Sequence, residues 1–204
     1  MHAEPLPEAP DGVFVEDAAI VLDDVAVITR PGAESRRCES DSIARLLQAY
    51  RPVHFIREPG CIDGGDVLRI GRRLYVGRSL RTNDDGIDQL RAIVTPRGYE
   101  VVATPFRGCL HLKSAVTYVG VLLLNTEFVD AGFFDDVETV SVHSSEPDAG
   151  NELRIGETVL MSSSWSLTRA LLEERGLRVV AVDADELEKA ESGVTCCSLV
   201  FDAQ

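Results

Sequence analysis

Near the end of the chain, Ser192-Gly193-Val194-Thr195-Cys196-Cys197-Ser198-Leu199-Val200-Phe201 sets two adjacent thiols between a small-residue turn and an apolar, β-branched run. Read as a turn feeding a strand over Val194–Phe201, the run holds Cys196 at a strand mouth and sends Cys197 to the opposite face, because strand side chains alternate. Taken alone, the pair could be two small buried hydrophobes, as free cysteines usually are. Three other stretches change that reading. Asp11-Gly12-Val13-Phe14-Val15-Glu16-Asp17 leads three carboxylates into a first apolar strand. Asp63-Gly64-Gly65-Asp66 precedes a second, with glycines that permit close approach of backbone and ligand. His111, in Leu110-His111-Leu112-Lys113-Ser114, precedes a third. Separately these are a solvated loop, a glycine turn and a core histidine; their shared place just before a strand is the signal. A thiol with an imidazole and a carboxylate is the arrangement for nucleophilic catalysis. The additional acids would hold a cation.

The elements that must position these groups form a repeating pattern. The first unit is a strand over Ala18–Leu22, the acidic turn Asp23-Asp24, a strand over Val25–Thr29, a helix over Ser40–Tyr50 and a strand over Val53–Ile56. The second runs Val67–Ile70, Leu74–Val76, a helix over Asp84–Val94 and Tyr99–Ala103. The third is Ser114–Tyr118, Val121–Leu124, a short helical piece near Phe133 and Val137–Val142. The fourth is Glu152–Ile155, Thr158–Met161, a helix over Ser166–Arg175 and Leu177–Val182. A fifth begins at Val194. Units of strand, strand, helix and strand, recurring every roughly forty to fifty residues, point to a radial or solenoid architecture. The expected fold is an α/β-propeller of ββαβ units with pseudo-fivefold symmetry, its fifth unit incomplete. In such a ring the residues before each first strand meet around the axis.

The totals fit one domain with a real core: 204 residues, 45% hydrophobic and 26% charged. A net charge of −14 argues against a nucleic-acid partner, which calls for a basic face. No apolar run has the length of a membrane span, and the Pro-rich, acidic start has no basic or apolar leader pattern. Five cysteines without framework spacing suit a reducing compartment, so a cytoplasmic protein is expected. The four histidines are scattered and no Cys/His set has zinc spacing, so no metal is expected.

Phe14-Val15-Glu16-Asp17, Ile28–Arg37, Asp63-Gly64-Gly65-Asp66-Val67-Leu68, Tyr75–Asn83, Leu110–Ser114 and Thr195-Cys196-Cys197-Ser198 together, in this order, resemble the dimethylarginine dimethylaminohydrolase family of the pentein superfamily. The resemblance implies that Cys196 is the nucleophile and Cys197 its buried neighbour. His111 would protonate the departing amine and then activate water, with Asp63 orienting its ring. Glu16 and Asp17 would hold the guanidinium of a methylated arginine, Asp11 its α-amino group, and Arg36 and Arg81 its α-carboxylate. Glu191, where an aspartate is expected, joins this substrate-binding set. The product would be citrulline with dimethylamine or methylamine, a step in arginine metabolism. The resemblance implies no cofactor and no membrane partner, and leaves monomer and homodimer open. It begins at about Asp11, so residues 1–10 read as a Pro-rich lead-in to a catalytic domain over 11–204. The family's N-terminal segment, which completes the fifth unit and covers the substrate, is expected to be missing. The alternatives are an arginine deiminase, an amidinotransferase-like guanidino enzyme, or a truncated non-catalytic pentein.

Overall fold

The computed structural model describes residues 5–134 and 137–202. The first four residues of the Pro-rich lead-in lie outside them. Among the described residues, twelve short strands form four three-stranded sheets. They are β1 (Ala19–Val21), β2 (Ala26–Ile28) and β3 (Val53–Phe55); β4 (Val67–Ile70), β5 (Arg73–Gly77) and β6 (Glu100–Thr104); β7 (Val116–Tyr118), β8 (Leu122–Leu124) and β9 (Thr139–Ser141); and β10 (Leu153–Ile155), β11 (Thr158–Ser162) and β12 (Arg178–Val182). The first two strands of every sheet are antiparallel, with Ile20 opposite Val27, Leu68 opposite Tyr75, Thr117 opposite Leu123 and Arg154 opposite Val159. The third strand runs parallel to the second for β3, β9 and β12. A parallel return needs a crossover, and this is where the helices fall. They include α1 (Glu39–Leu47) and α2 (Asp84–Val94), and among the described residues of the third crossover there is a 3-10 turn over Ala131–Phe133. The tight hairpins of the second and fourth sheets turn at Gly71 and Gly156, whose φ angles of 58° and 59° lie in the left-handed region that suits glycine.

Two compact units result: Met1–Ala103 with Cys196–Gln204, and Thr104–Thr195. In the first, Leu74, Val76, Leu90, Val94 and Tyr99 are among the residues of one core, while Ile28, Ile43 and Leu47 pack in a second with Leu199 and Phe201. The start of α2 follows from chemistry visible in the sequence. The Asn83 side chain accepts the Gly86 N–H at 2.9 Å, acids Asp84 and Asp85 occupy the first turn, and Arg91 sits in the last.

In the second unit, Leu123, Val159, Met161 and Leu172 share one core. Its two further helices before residue 180 are α3 (Leu112–Ala115) and α4 (Ser166–Glu173), followed by α5 (Asp185–Glu188). The expected strand over Ser114–Tyr118 therefore begins later, at Val116, because the chain after His111 first makes a helical turn. Buried Glu146 caps α4 from a distance, accepting the N–H groups of Leu167 at 2.9 Å and Thr168 at 2.7 Å.

The strand expected over Val194–Phe201 does not form. Residues 194–197 are turns and 198–202 are irregular, and none of the four sheets includes them. A strand exists only where a neighbour takes up its peptide groups, and here apolar packing of Leu199 and Phe201 holds the segment instead. Among the described residues no helix is long and apolar enough to cross a membrane.

Burial would raise the Glu146 carboxyl pKa, but the two N–H groups outweigh it and hold it below its ordinary value. A depressed carboxylate stabilises the fold above its unfolded pKa and loses that effect as pH falls through its folded value. Glu146→Gln should thus destabilise the second unit by about 1 kcal/mol at neutral pH. The gap between urea melts of the two forms should close progressively as pH falls below about 4.3, the unfolded value.

Candidate active site

Most of the residues singled out from the sequence lie in the first unit. Glu16 and Asp17 sit on a 3-10 helix over Val15–Ala18 and are both buried. The peptide groups of this turn are tied to the cysteine segment, since the Glu16 N–H donates to the Cys196 carbonyl at 3.0 Å. A close approach holds the second strand mouth against the same turn. A Cβ added at Gly64 would lie 2.0 Å from the Glu16 carbonyl oxygen, so only glycine fits. The next peptide, the Gly65 N–H, donates to Asp17 Oδ1 at 2.9 Å.

The other Asp17 oxygen faces Arg36, a guanidinium only 6% exposed. Arg36 Nη1 reaches Asp17 Oδ2 at 2.5 Å, and Glu39 takes Nε and Nη2 as a two-pronged pair at 3.0 and 2.8 Å. Nη2 also donates to the carbonyls of Phe14 at 2.9 Å and Asp11 at 3.3 Å. Burial would lower the Arg36 pKa, but Glu39 and Asp17 outweigh it and hold the charge more firmly than usual. Arg36, expected to grip a substrate carboxylate, thus spends most of its donors inside the protein. Among the described residues Arg81 differs: no hydrogen bond or ion pair of its guanidinium is found. Its backbone is fixed by the Ser79 hydroxyl, which accepts the Arg81 N–H at 2.9 Å, and by Gly32, where a Cβ would lie 2.5 Å from Arg81 Cα.

Asp63 is fully buried and accepts the Gly32 N–H at 2.9 Å. Its own N–H donates to Thr82 Oγ1 at 3.2 Å, and Thr82 in turn donates to Asp66 at 2.7 Å. Asp11 lies on a 3-10 helix over Pro10–Val13 with its side chain exposed. Cys196 and Cys197 are both half-buried free thiols. Burial pushes the Cys197 thiol up, and the neighbouring Cys196 and the Glu16 carboxylate push in the same direction. Cys197 is therefore a neutral thiol at physiological pH.

The second unit holds the remaining two. His111 is buried at the N-terminal end of α3, its carbonyl accepting the Ser114 N–H at 3.1 Å and the Cys109 thiol at 3.3 Å. Glu191 is exposed, with a left-handed backbone at φ 54°. Two residues that carry weight here were not singled out from the sequence. Glu39 pairs with Arg36, and the Arg36-x-x-Glu39 spacing on a helical turn was the available signal. Asn151 accepts Thr195 Oγ1 at 2.8 Å and packs against Gly193, where a Cβ would lie 2.4 Å from its Cγ. It anchors the chain just before Cys196, and nothing in its sequence context marks it.

Three-stranded ββαβ sheets with polar groups at the first strand mouths define an α/β protein of the pentein fold. The comparisons agree. A solved dimethylarginine dimethylaminohydrolase of Pseudomonas aeruginosa, a cysteine-to-serine mutant complexed with citrulline, matches 97% of this chain and 79% of its own with a TM-score of 0.92 and 36% identity. The N-terminal domain of a cyanobacterial arginine dihydrolase matches at a TM-score of 0.84 but 22% identity, over 97% of this chain and 78% of its own, a likeness of fold alone. In sequence, the chain is 44% identical over 206 residues to an N(G),N(G)-dimethylarginine dimethylaminohydrolase of Streptomyces coelicolor, covering 98% of this chain and 78% of the relative. No family model matches. The chain belongs to the dimethylarginine dimethylaminohydrolase family.

The Arg36 cluster sets a stability test. Replacing buried Glu39 by alanine leaves the guanidinium short of two hydrogen bonds. Chemical denaturation of Glu39→Ala should show a loss of about 2–4 kcal/mol.

Proposed function

We propose that the chain hydrolyses Nω-methylated arginine, asymmetric dimethylarginine or monomethylarginine, to citrulline and dimethylamine or methylamine. The observation that carries this reading is the joining of the Cys196 segment to a buried carboxylate turn through the Glu16 N–H, in a chain of this family. A guanidinium is a poor electrophile because resonance spreads its charge. Carboxylates at fixed positions localise that charge and turn the central carbon toward a nucleophile. Glu16 and Asp17 supply them.

In the proposed reaction the Cys196 thiolate adds to the guanidinium carbon. The amine leaves with a proton from His111, and the carbon remains bonded to sulfur as an alkylthiouronium. His111 then removes a proton from water, the hydroxyl adds to the same carbon, and the C–S bond breaks to give citrulline and the free thiolate. Asp63 orients the imidazole and Asp11 receives the α-amino group. Arg81, with its guanidinium uncommitted, is the better placed of the two arginines to take the α-carboxylate. Arg36 serves that carboxylate only with what its internal partners leave. His111 and Glu191 enter this reading through the family motifs. Support comes from relatives whose solved forms hold citrulline, or an adduct with S-methyl-L-thiocitrulline in a histidine-to-glycine variant. The reading treats residues 11–204 as one cytoplasmic catalytic domain working without a cofactor.

Citrulline formation from asymmetric dimethylarginine tests it. Cys196→Ser should lower kcat by at least about a thousandfold, the scale of losing a covalent nucleophile. Cys197→Ser should retain most activity, because a neutral thiol is not the attacking group. The opposite pattern would reassign the nucleophile, and ammonia in place of dimethylamine as the product would make the protein a deiminase.

A further inference from the structure

The second unit contains a cavity of about 350 Å³ whose walls include Glu152, Glu188, Glu191, Asp148, Trp165 and Phe128. Among the described residues, no lysine, arginine or histidine lines it. Glu152 is the anomaly. It is 2% exposed, and neither carboxylate oxygen has a hydrogen-bond partner. A buried carboxyl without partners is costly, and native structures rarely keep one without a use.

The repeat explains how it arises. Asp66 stands directly before β4, as Glu152 stands directly before β10. Asp66 is satisfied by hydroxyls that follow β5, from Ser79 at 2.6 Å and Thr82 at 2.7 Å. The matching hydroxyls at the end of β11 and just after it belong to Ser162 and Ser164. Both donate to Glu188 on α5 instead, Ser164 at 3.0 Å. Glu152 is left facing a cavity of its own sign. Burial pushes its carboxyl up to about 9, with Glu188 adding in the same direction; the Ser162 peptide pulls the other way without making a hydrogen bond. In the empty cavity Glu152 therefore carries a proton at neutral pH.

We propose that this cavity binds a small alkylammonium ion, with Glu152 as its counter-ion and the Trp165 and Phe128 rings against its alkyl groups. A metal ion does not fit, because among the described residues no three of these acids bring ligand atoms within 4.8 Å of one another. Carboxylates spread around aromatic walls suit an organic cation, whose charge is met by an acid and whose carbon surface is met by rings. Dimethylammonium belongs to this class; the proposal rests on the cavity and not on the hydrolase reading. Entry of the cation ionises Glu152, so binding releases a proton. The other titratable groups lining the cavity are Cys109, Asp148, Glu188 and Glu191.

The test is calorimetric titration of the full chain with dimethylammonium chloride, against sodium chloride at equal ionic strength, in two buffers of different ionisation enthalpy. Saturable binding is expected at about millimolar Kd, the ceiling for three heavy atoms. Up to one proton should be released, and affinity should strengthen about tenfold per pH unit from 7 toward 9; the ligand keeps its own proton to about pH 10. Glu152→Gln, shaped like the protonated acid, should weaken binding about tenfold or more and abolish proton release. Cys196→Ser and Asp17→Asn should bind like wild type. No saturation above the salt control overturns the proposal, as does a pH-independent affinity in the wild-type chain. So does binding that survives Glu152→Gln with its proton release, or that is lost in Cys196→Ser.

Discussion

The first unit's site depends on one buried guanidinium. Taking the Arg36 charge out of water costs several kcal/mol, and the fold offsets it with a two-pronged Glu39, with Asp17 and with two carbonyls of the loop before the carboxylate turn. Because every partner is needed, each is held in place. Asp17 has one oxygen on Arg36 and the other on the Gly65 N–H, so it cannot rotate away from the strand mouth. The loop from Asp11 to Phe14 is drawn down by the same side chain. Asp17 and Glu39 both pair with this single arginine, and Glu16 is buried beside Asp17 on the same turn, so the surplus is negative. A pocket with that surplus discriminates for a cation before any shape is considered.

The repeat sets where chemistry can be placed and leaves open what is placed there. Acids stand at or just before a first strand in three of the units, as Asp17, Asp66 and Glu152 do, while His111 stands earlier, at the head of a helical turn. What each does is decided by the loop after the second strand. Where that loop offers hydroxyls, as Ser79 and Thr82 do for Asp66, the acid becomes a structural anchor. Where it offers none to spare, the acid keeps its capacity for a ligand. A ββαβ unit thus works as a bracket with an adjustable tip, and the hydrophobic layers behind it hardly change.

Much of this was readable in the sequence, for reasons that differ by element. Asp84–Val94 is a helix at its expected limits because local signals agree: an asparagine cap, acids in the first turn, and Ile87, Leu90 and Val94 on one buried face. The hairpins were legible from alternation and from glycines at the turns. Val194–Phe201 misled because its β-branched composition describes a fit to a sheet, and composition cannot supply the neighbouring strand. His111 came out on a helical turn instead of a strand mouth, since a four-residue helix needs only one or two peptide hydrogen bonds and leaves little periodicity to read. Glu39 and Asn151 stayed hidden because their work is done at long range in the fold or as partners of partners. Arg36 was found by motif, yet its internal commitments appear only once Glu39, Phe14 and Asp11 are seen around it.

The same reasoning separates the two adjacent sulfurs without the strand that was meant to do it. Alternation along an extended run would have sent Cys197 away from the site. In the irregular segment what marks Cys197 is its surroundings. Cys197 is pushed toward the neutral thiol by burial, by its neighbour and by the Glu16 carboxylate. The Glu16 carboxylate, one of the acids proposed to meet a cation, therefore opposes a thiolate at Cys197. On the proposed reading, an arriving guanidinium pairs with Glu16 and Asp17, so recognition of its charge and placement of its carbon beside the cysteine segment become one event. The backbone hydrogen bond between the carboxylate turn and the cysteine segment fixes their spacing without adding a charge that the substrate must then displace.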